Sequence, residues 1–169
     1  MRYRLPFVVA VVVAAAVIGC ARSNQQTSEP EASSVLLDKE PSSAVGVRAA
    51  VRDVKNDEAV VIVGRIGGDR SPFVDGLAAF TIVDTSLVPC NERPGDNCPT
   101  PWDYCCDLGD LPTASAAIKV VDPSGNVLER DVKQLLKVKE LDTVVARGRA
   151  QRDAQGNLVV LADGIYVRR

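Results

Sequence analysis

Four of the chain's five cysteines fall in one short stretch, at Cys90, Cys98, Cys105 and Cys106. A cysteine thiolate bonds a second sulfur, binds a metal or attacks an electrophile, so three uses compete here. Two structural disulfides suit an even count in a long loop and an oxidising compartment. Adjacent cysteines rarely bond each other, so Cys105 and Cys106 would join Cys90 and Cys98, in either connectivity. Each unstrained bridge would contribute roughly 2–4 kcal/mol. A Cys₄ zinc site is the second use, although the Cys-x7-Cys-x6-Cys-Cys spacing lacks CxxC knuckles. A redox-active or metal-relay pair at Cys105–Cys106 is the third, with no CxxC motif and no histidine to activate a thiolate. Disulfides without a cofactor are the leading expectation, and zinc on the four cysteines is the alternative.

Other side chains near the cluster carry weaker signals. Trp102 and Tyr104 suit either ligand stacking or a small core within the loop. Glu92, Asp96, Asp103, Asp107 and Asp110 form an acidic set without a D-x-[DN]-x-[DN]-G calcium loop. Arg147, Arg149 and Arg152 lie along a predicted strand, as a basic binding stripe or a solvated face. The chain has no histidine, which removes Ser-His-Asp and Cys-His catalysis. Gly64-Arg65-Ile66-Gly67-Gly68 matches neither phosphate-binding glycine pattern. No catalytic residue is assigned, and a non-enzymatic role is expected.

The elements that must position these groups follow from apolar periodicity. Val47, Ala50, Val51 and Val54 predict a short amphipathic helix over 44–55. Strands are predicted over 59–66, 78–84, 116–121, 143–150 and 158–162, the last extended by 165–167. Val127-Leu128 is a further short candidate. Asp131 caps a predicted helix over 131–139. Asp122–Asn126 and Asp153–Asn157 read as turns. The cysteines occupy a loop of 85–113, too long to be ordinary. Residues 44–169 form one domain with 16 basic and 18 acidic side chains. That near balance disfavours nucleic acid as a partner.

The element order β-β-β-α-β-β resembles the OB-fold, a five-stranded barrel with its helix between strands three and four. Val63-Gly64-Arg65-Ile66-Gly67, Phe80-Thr81-Ile82-Val83-Asp84 and Val144–Ala150 resemble its first, second and fourth strands. The fold class expected is therefore mostly β, with a short N-terminal helix and a Cys-rich loop added to that barrel. The Gly-Arg-Ile-Gly-Gly and Pro-Trp-Asp-Tyr-Cys-Cys segments also resemble uncharacterised exported bacterial proteins, which implies no activity.

Arg2 and Arg4 precede an apolar run from Leu5 to Ile18. The run is short for a membrane span, which needs about 20 residues, and suits a signal peptide over 1–19. Val17-Ile18-Gly19-Cys20 resembles the lipobox of bacterial lipoproteins, which implies cleavage before Cys20 and acylation of its sulfur. Ala21-Arg22 follow rather than Asp, which favours the outer over the inner membrane. Apart from the apolar Val35-Leu36-Leu37, residues 20–43 are polar and Ser- and Pro-rich and read as a lipidated cysteine and flexible tether. The expected function is a membrane-anchored envelope binding module for a protein, peptide or glycan. The alternatives are an oligonucleotide-binding barrel, or a thiol-redox or metal-binding protein.

Overall fold

The computed structural model describes residues 35–169. Cys20, the expected signal peptide and most of the expected tether lie outside those residues. The described elements are β1 (Val45–Gly46), α1 (Val47–Asp53), β2 (Ala59–Ile66), β3 (Ala79–Val83), α2 (Leu111–Ala114), β4 (Ser115–Val120), α3 (Val132–Leu136), β5 (Thr143–Arg152) and β6 (Leu158–Arg168). The described structure is mostly strand.

Five strands close into a barrel. β2 pairs with β3, and β3 with β4, both antiparallel. β4 runs parallel to β6, which pairs antiparallel with β5. β5 returns to β2 and closes the circuit, with Ala59 opposite Arg149 and Arg65 opposite Thr143. β1 adds a sixth strand outside the circuit, parallel to β2.

Alternating side chains supply the core. Val60, Ile62 and Ile66 of β2 point inward, as do Ile118 and Val120 of β4. Val47 and Ala50 of α1 and Val132 and Leu136 of α3 enter the same cluster. β3 is buried on both faces, because Val83 belongs to a second cluster with Leu87, Tyr104 and Ala114. That second cluster joins the cysteine loop to the barrel.

Several boundaries differ from the sequence expectation. The first helix starts at Val47 rather than 44, since Val45–Gly46 is extended and pairs with β2. α3 ends at Leu136, not 139. Lys137 takes a left-handed conformation at φ 55°, and Val138 turns back into the core. Asp131 does cap α3, accepting from Gln134 N at 2.9 Å. Segments 158–162 and 165–167 are one strand. The register shifts between Arg147, opposite Gly164, and Gly148, opposite Ala162, so Asp163 is the extra residue of a bulge.

The expected tether boundary at 43 also moves. Val35 is buried, and Leu36 forms a parallel bridge to Ile165. Leu37 N donates to Ile165 O at 2.8 Å, and Glu40 pairs with Arg168 at 2.6 Å. Val35 accounts for much of the docking by burying apolar surface that the polar residues around it lack, while Leu36 stays exposed.

Candidate functional site

The residues between β3 and β4 form a lobe with regular structure of its own. Three 3₁₀ turns, Cys90–Glu92, Pro101–Asp103 and Cys105–Asp107, precede α2. Pro101 opens the second turn, where its fixed φ suits the first helical position. Tyr104 separates the second and third turns in a left-handed conformation, φ 53° and ψ 38°. This costs a non-glycine residue roughly 1–2 kcal/mol. The reversal sends the Tyr104 ring inward, fully buried, and leaves Cys105 and Cys106 exposed.

Two Asp-x-Cys segments shape the loop in the same way. Asp96 Oδ1 accepts from Cys98 N at 2.8 Å, and Asp103 Oδ1 accepts from Cys105 N at 3.0 Å. Such side-chain-to-backbone bonds replace a turn's own backbone bond. Thr100 Oγ1 donates to Asp103 Oδ2 at 2.8 Å and fixes that carboxylate from its other side. Arg93 ties the first turn to the third. It donates to Val88 O at 3.3 Å and pairs with Asp107.

The lobe is fastened to the barrel where the chain leaves β2. Gly68 N donates to Trp102 O at 2.8 Å. Trp102 Nε1 donates to Arg70 O at 3.1 Å. A Cβ on Gly67 would stand 2.5 Å from Trp102 O and 2.9 Å from Tyr104 Cε2. Only glycine admits this approach. Arg65 of β2 pairs with Glu92 at 2.8 Å, and Arg48 of α1 with Asp110 at 3.1 Å.

The four sulfurs converge as unbonded thiols. Cys90 Sγ lies 3.7 Å from Cys105 Sγ and 3.9 Å from Cys106 Sγ. Cys98 Sγ lies 3.9 Å from Cys105 Sγ. Cys90, Cys98 and Cys105 form one group with Asp103, their ligand atoms all within 4.8 Å of one another. Cys106 stands in a second group with Cys90 and Asp96, whose Oδ2 is 3.6 Å from its sulfur. Cys90 is buried, Cys98 half-buried, and the other two are exposed. Hydrogen bonds with the Cys90 and Cys98 sulfurs push the Cys105 thiol well above its ordinary range. Contact with Cys90 pushes Cys106 in the same direction. Burial works to raise the Asp103 pKa, yet the Thr100 hydroxyl, the Cys105 N–H and the charge of Arg70 together hold it low.

The other candidates are dispersed. Tyr104 is wholly buried in the second cluster, so its ring has no open face, and its hydroxyl lacks a hydrogen-bond partner. Burial raises its pKa, against the opposing charge of Arg65. Trp102 is half-buried, its edge bound to the barrel. Arg147 and Arg149 line an open cleft of about 470 Å³ beside β2, away from the cysteines. Arg147 pairs with Asp163 at 2.7 Å, and Arg149 donates to Asp57 O at 2.9 Å. Arg152 turns back on α1, donating to Val51 O and Val54 O. The stripe is thus three separate anchors.

Asp103 and Asp96 join the cysteines in the two groups of close donor atoms, whereas sequence alone places them only among the loop acids. The repeated Asp-x-Cys spacing was the available signal. No family model matches the chain, and a search of curated proteins returns no match.

Proposed function

We propose that the chain is a membrane-anchored envelope lipoprotein whose OB-fold-like barrel presents the cysteine lobe as a non-enzymatic binding module. The strand circuit supports the OB-like reading. The first barrel strand pairs with the second and fourth, and the third runs parallel to the fifth. α3 falls between the third and fourth strands. The observation carrying the binding role is the lobe itself. It is fixed to the barrel by the bonds from Gly68, Arg65 and Arg48, yet it leaves Val88 43% and Leu108 63% exposed. Arg93 joins the segments bearing them, through Val88 O and Asp107. A rigid surface with exposed apolar groups loses little entropy on meeting a partner. The partner class is an envelope protein, peptide or glycan. The arginines of β5, already engaged in ion pairing and backbone contacts, support this reading over a nucleic-acid one.

One experiment tests both halves. A photo-crosslinker at position 108 of the full chain should capture a discrete membrane-associated component, and one at exposed Ala154 should not. Adding Cys20→Ser should release the protein from membranes or leave it unprocessed, and should abolish the adduct. A membrane-bound, mature Cys20→Ser form would refute the anchor. Equal labelling from positions 108 and 154 would refute the binding lobe.

A further inference from the structure

We propose that the lobe holds one Zn²⁺ ion through Cys90, Cys98, Cys105 and Asp103, with Cys106 beside the ion rather than on it. This stands apart from the anchoring and binding reading, because a bound metal sets the lobe's shape whatever the lobe meets.

Distance is the first argument. A zinc–sulfur bond of about 2.3 Å gives a tetrahedral edge of about 3.8 Å between ligand sulfurs. Cys90 to Cys105 is 3.7 Å, and Cys98 to Cys105 is 3.9 Å. The third sulfur pair and the Asp103 oxygen fall within the same 4.8 Å limit. Four donors thus lie close enough together to share one ion.

Sharing is the second argument. A sulfur in a disulfide has one sulfur partner. Here Cys105 stands close to both Cys90 and Cys98, and Cys90 to both Cys105 and Cys106. Cys105 thus has two sulfur neighbours at near-equal distance, which suits ligands sharing one ion better than a single disulfide mate.

The fourth donor follows from position. Cys106 lies with Cys90 and Asp96, outside the group that contains Cys98. Asp103 lies inside that group, and its carboxylate is already held by Thr100 and by Cys105 N. Hydrogen bonds of this kind orient metal ligands and are part of a working site. Aspartate oxygen is an accepted zinc donor, and four protein donors make a closed, structural centre.

Charge and protons balance. Binding turns three thiols into thiolates and releases three protons to solvent, with nothing oxidised or reduced. Three thiolates and one carboxylate on Zn²⁺ leave a net charge of −2. Arg93 lies in the field of the Cys90 and Cys106 sulfurs, and Arg70 in that of Asp103. Arg93, already paired with Asp107, offsets only part of the excess. The ion would link the turns at Cys90–Glu92 and Cys105–Asp107, in a lobe whose own apolar cluster is small.

The test uses the full chain, solubilised and purified without chelator. Elemental analysis should give one zinc per chain, and alkylation after metal removal should label Cys90, Cys98, Cys105 and Cys106. Cobalt should replace zinc with the absorption of a tetrahedral thiolate centre. Asp103→Asn should weaken zinc binding by at least about a hundredfold and alter the cobalt spectrum, a loss at or beyond the range seen for supporting residues. Cys106→Ser should leave affinity and spectrum unchanged. Two disulfides in a zinc-free chain would overturn the proposal. So would loss of binding in Cys106→Ser with none in Asp103→Asn, which would assign a four-cysteine centre. Far-ultraviolet circular dichroism of each variant separates loss of a ligand from loss of the fold.

Discussion

Asp84 holds the start of α1 from outside the helix. Gly46, at the N-cap, has no side chain to offer. Asp84 Oδ2 instead accepts from Arg48 N at 2.8 Å, and its Oδ1 accepts from Ser86 N at 2.9 Å. A Cβ on Gly46 would stand 2.8 Å from that Oδ2, so the glycine makes room for the carboxylate. Asp84→Ala should cost about 1–2 kcal/mol, as lost caps do, read as a lower midpoint in urea unfolding. Burial works to raise the Asp84 pKa, but the two backbone donors and Arg48 outweigh it and hold it below normal. A depressed carboxylate contributes its full stability above its unfolded pKa of about 3.9 and loses it as pH falls through the folded value. The gap between the parent and Asp84→Asn should therefore be widest near neutrality and shrink in acid. A gap independent of pH would show that charge plays no part. The bond from Arg48 was not legible from local sequence, because donor and acceptor lie 36 residues apart. The cysteine cluster was legible, since its chemistry depends on residue type. Its geometry was not, because a left-handed Tyr104 leaves no signature in composition.

Among the elements, the seam between β2 and the lobe depends most on a single position. Gly67 presses against Trp102 and Tyr104, and Gly68 bonds to Trp102 O. Gly67→Ala should push the lobe off the barrel at about 1–3 kcal/mol, the usual cost of overpacking. Trp102 is the only tryptophan, so its emission should shift to the red and the lobe should become protease-sensitive, while strand circular dichroism persists. Unchanged emission and stability would show that the seam tolerates the methyl group. In the sequence this glycine pair reads only as the end of a strand, because its partners arrive more than 30 residues later. The strands themselves were legible for the opposite reason. β-branched alternation in Val60–Ile66 and Ala116–Val120 is local and matches one buried face. Helix ends were not, since Lys137 stops α3 by backbone conformation where the apolar pattern continues through Val138.

For the whole molecule, the segment from Val35 to Glu40 belongs to the domain. It lies along β6 through Leu37 and Ile165 and ends in the Glu40–Arg168 pair. A chain beginning at residue 44 should be less stable than one beginning at 35 by about 1–2 kcal/mol, mainly from exposing the surface that Val35 covered, as a lower thermal midpoint. Equal midpoints would return this segment to the tether. The apolar triplet was visible in the sequence, but a polar setting on both sides read as spacer. The closure of the barrel has a different consequence, in time rather than in stability. β2 meets β5 across nearly ninety residues, with Ala59 opposite Arg149, and the entire lobe lies within that interval. Such remote pairings pay their ordering entropy before any contact repays it, and topologies dominated by them fold in milliseconds to seconds. While that seam is unformed, the β2 and β5 edges are open to other chains, so slow closure should leave newly made copies exposed to aggregation.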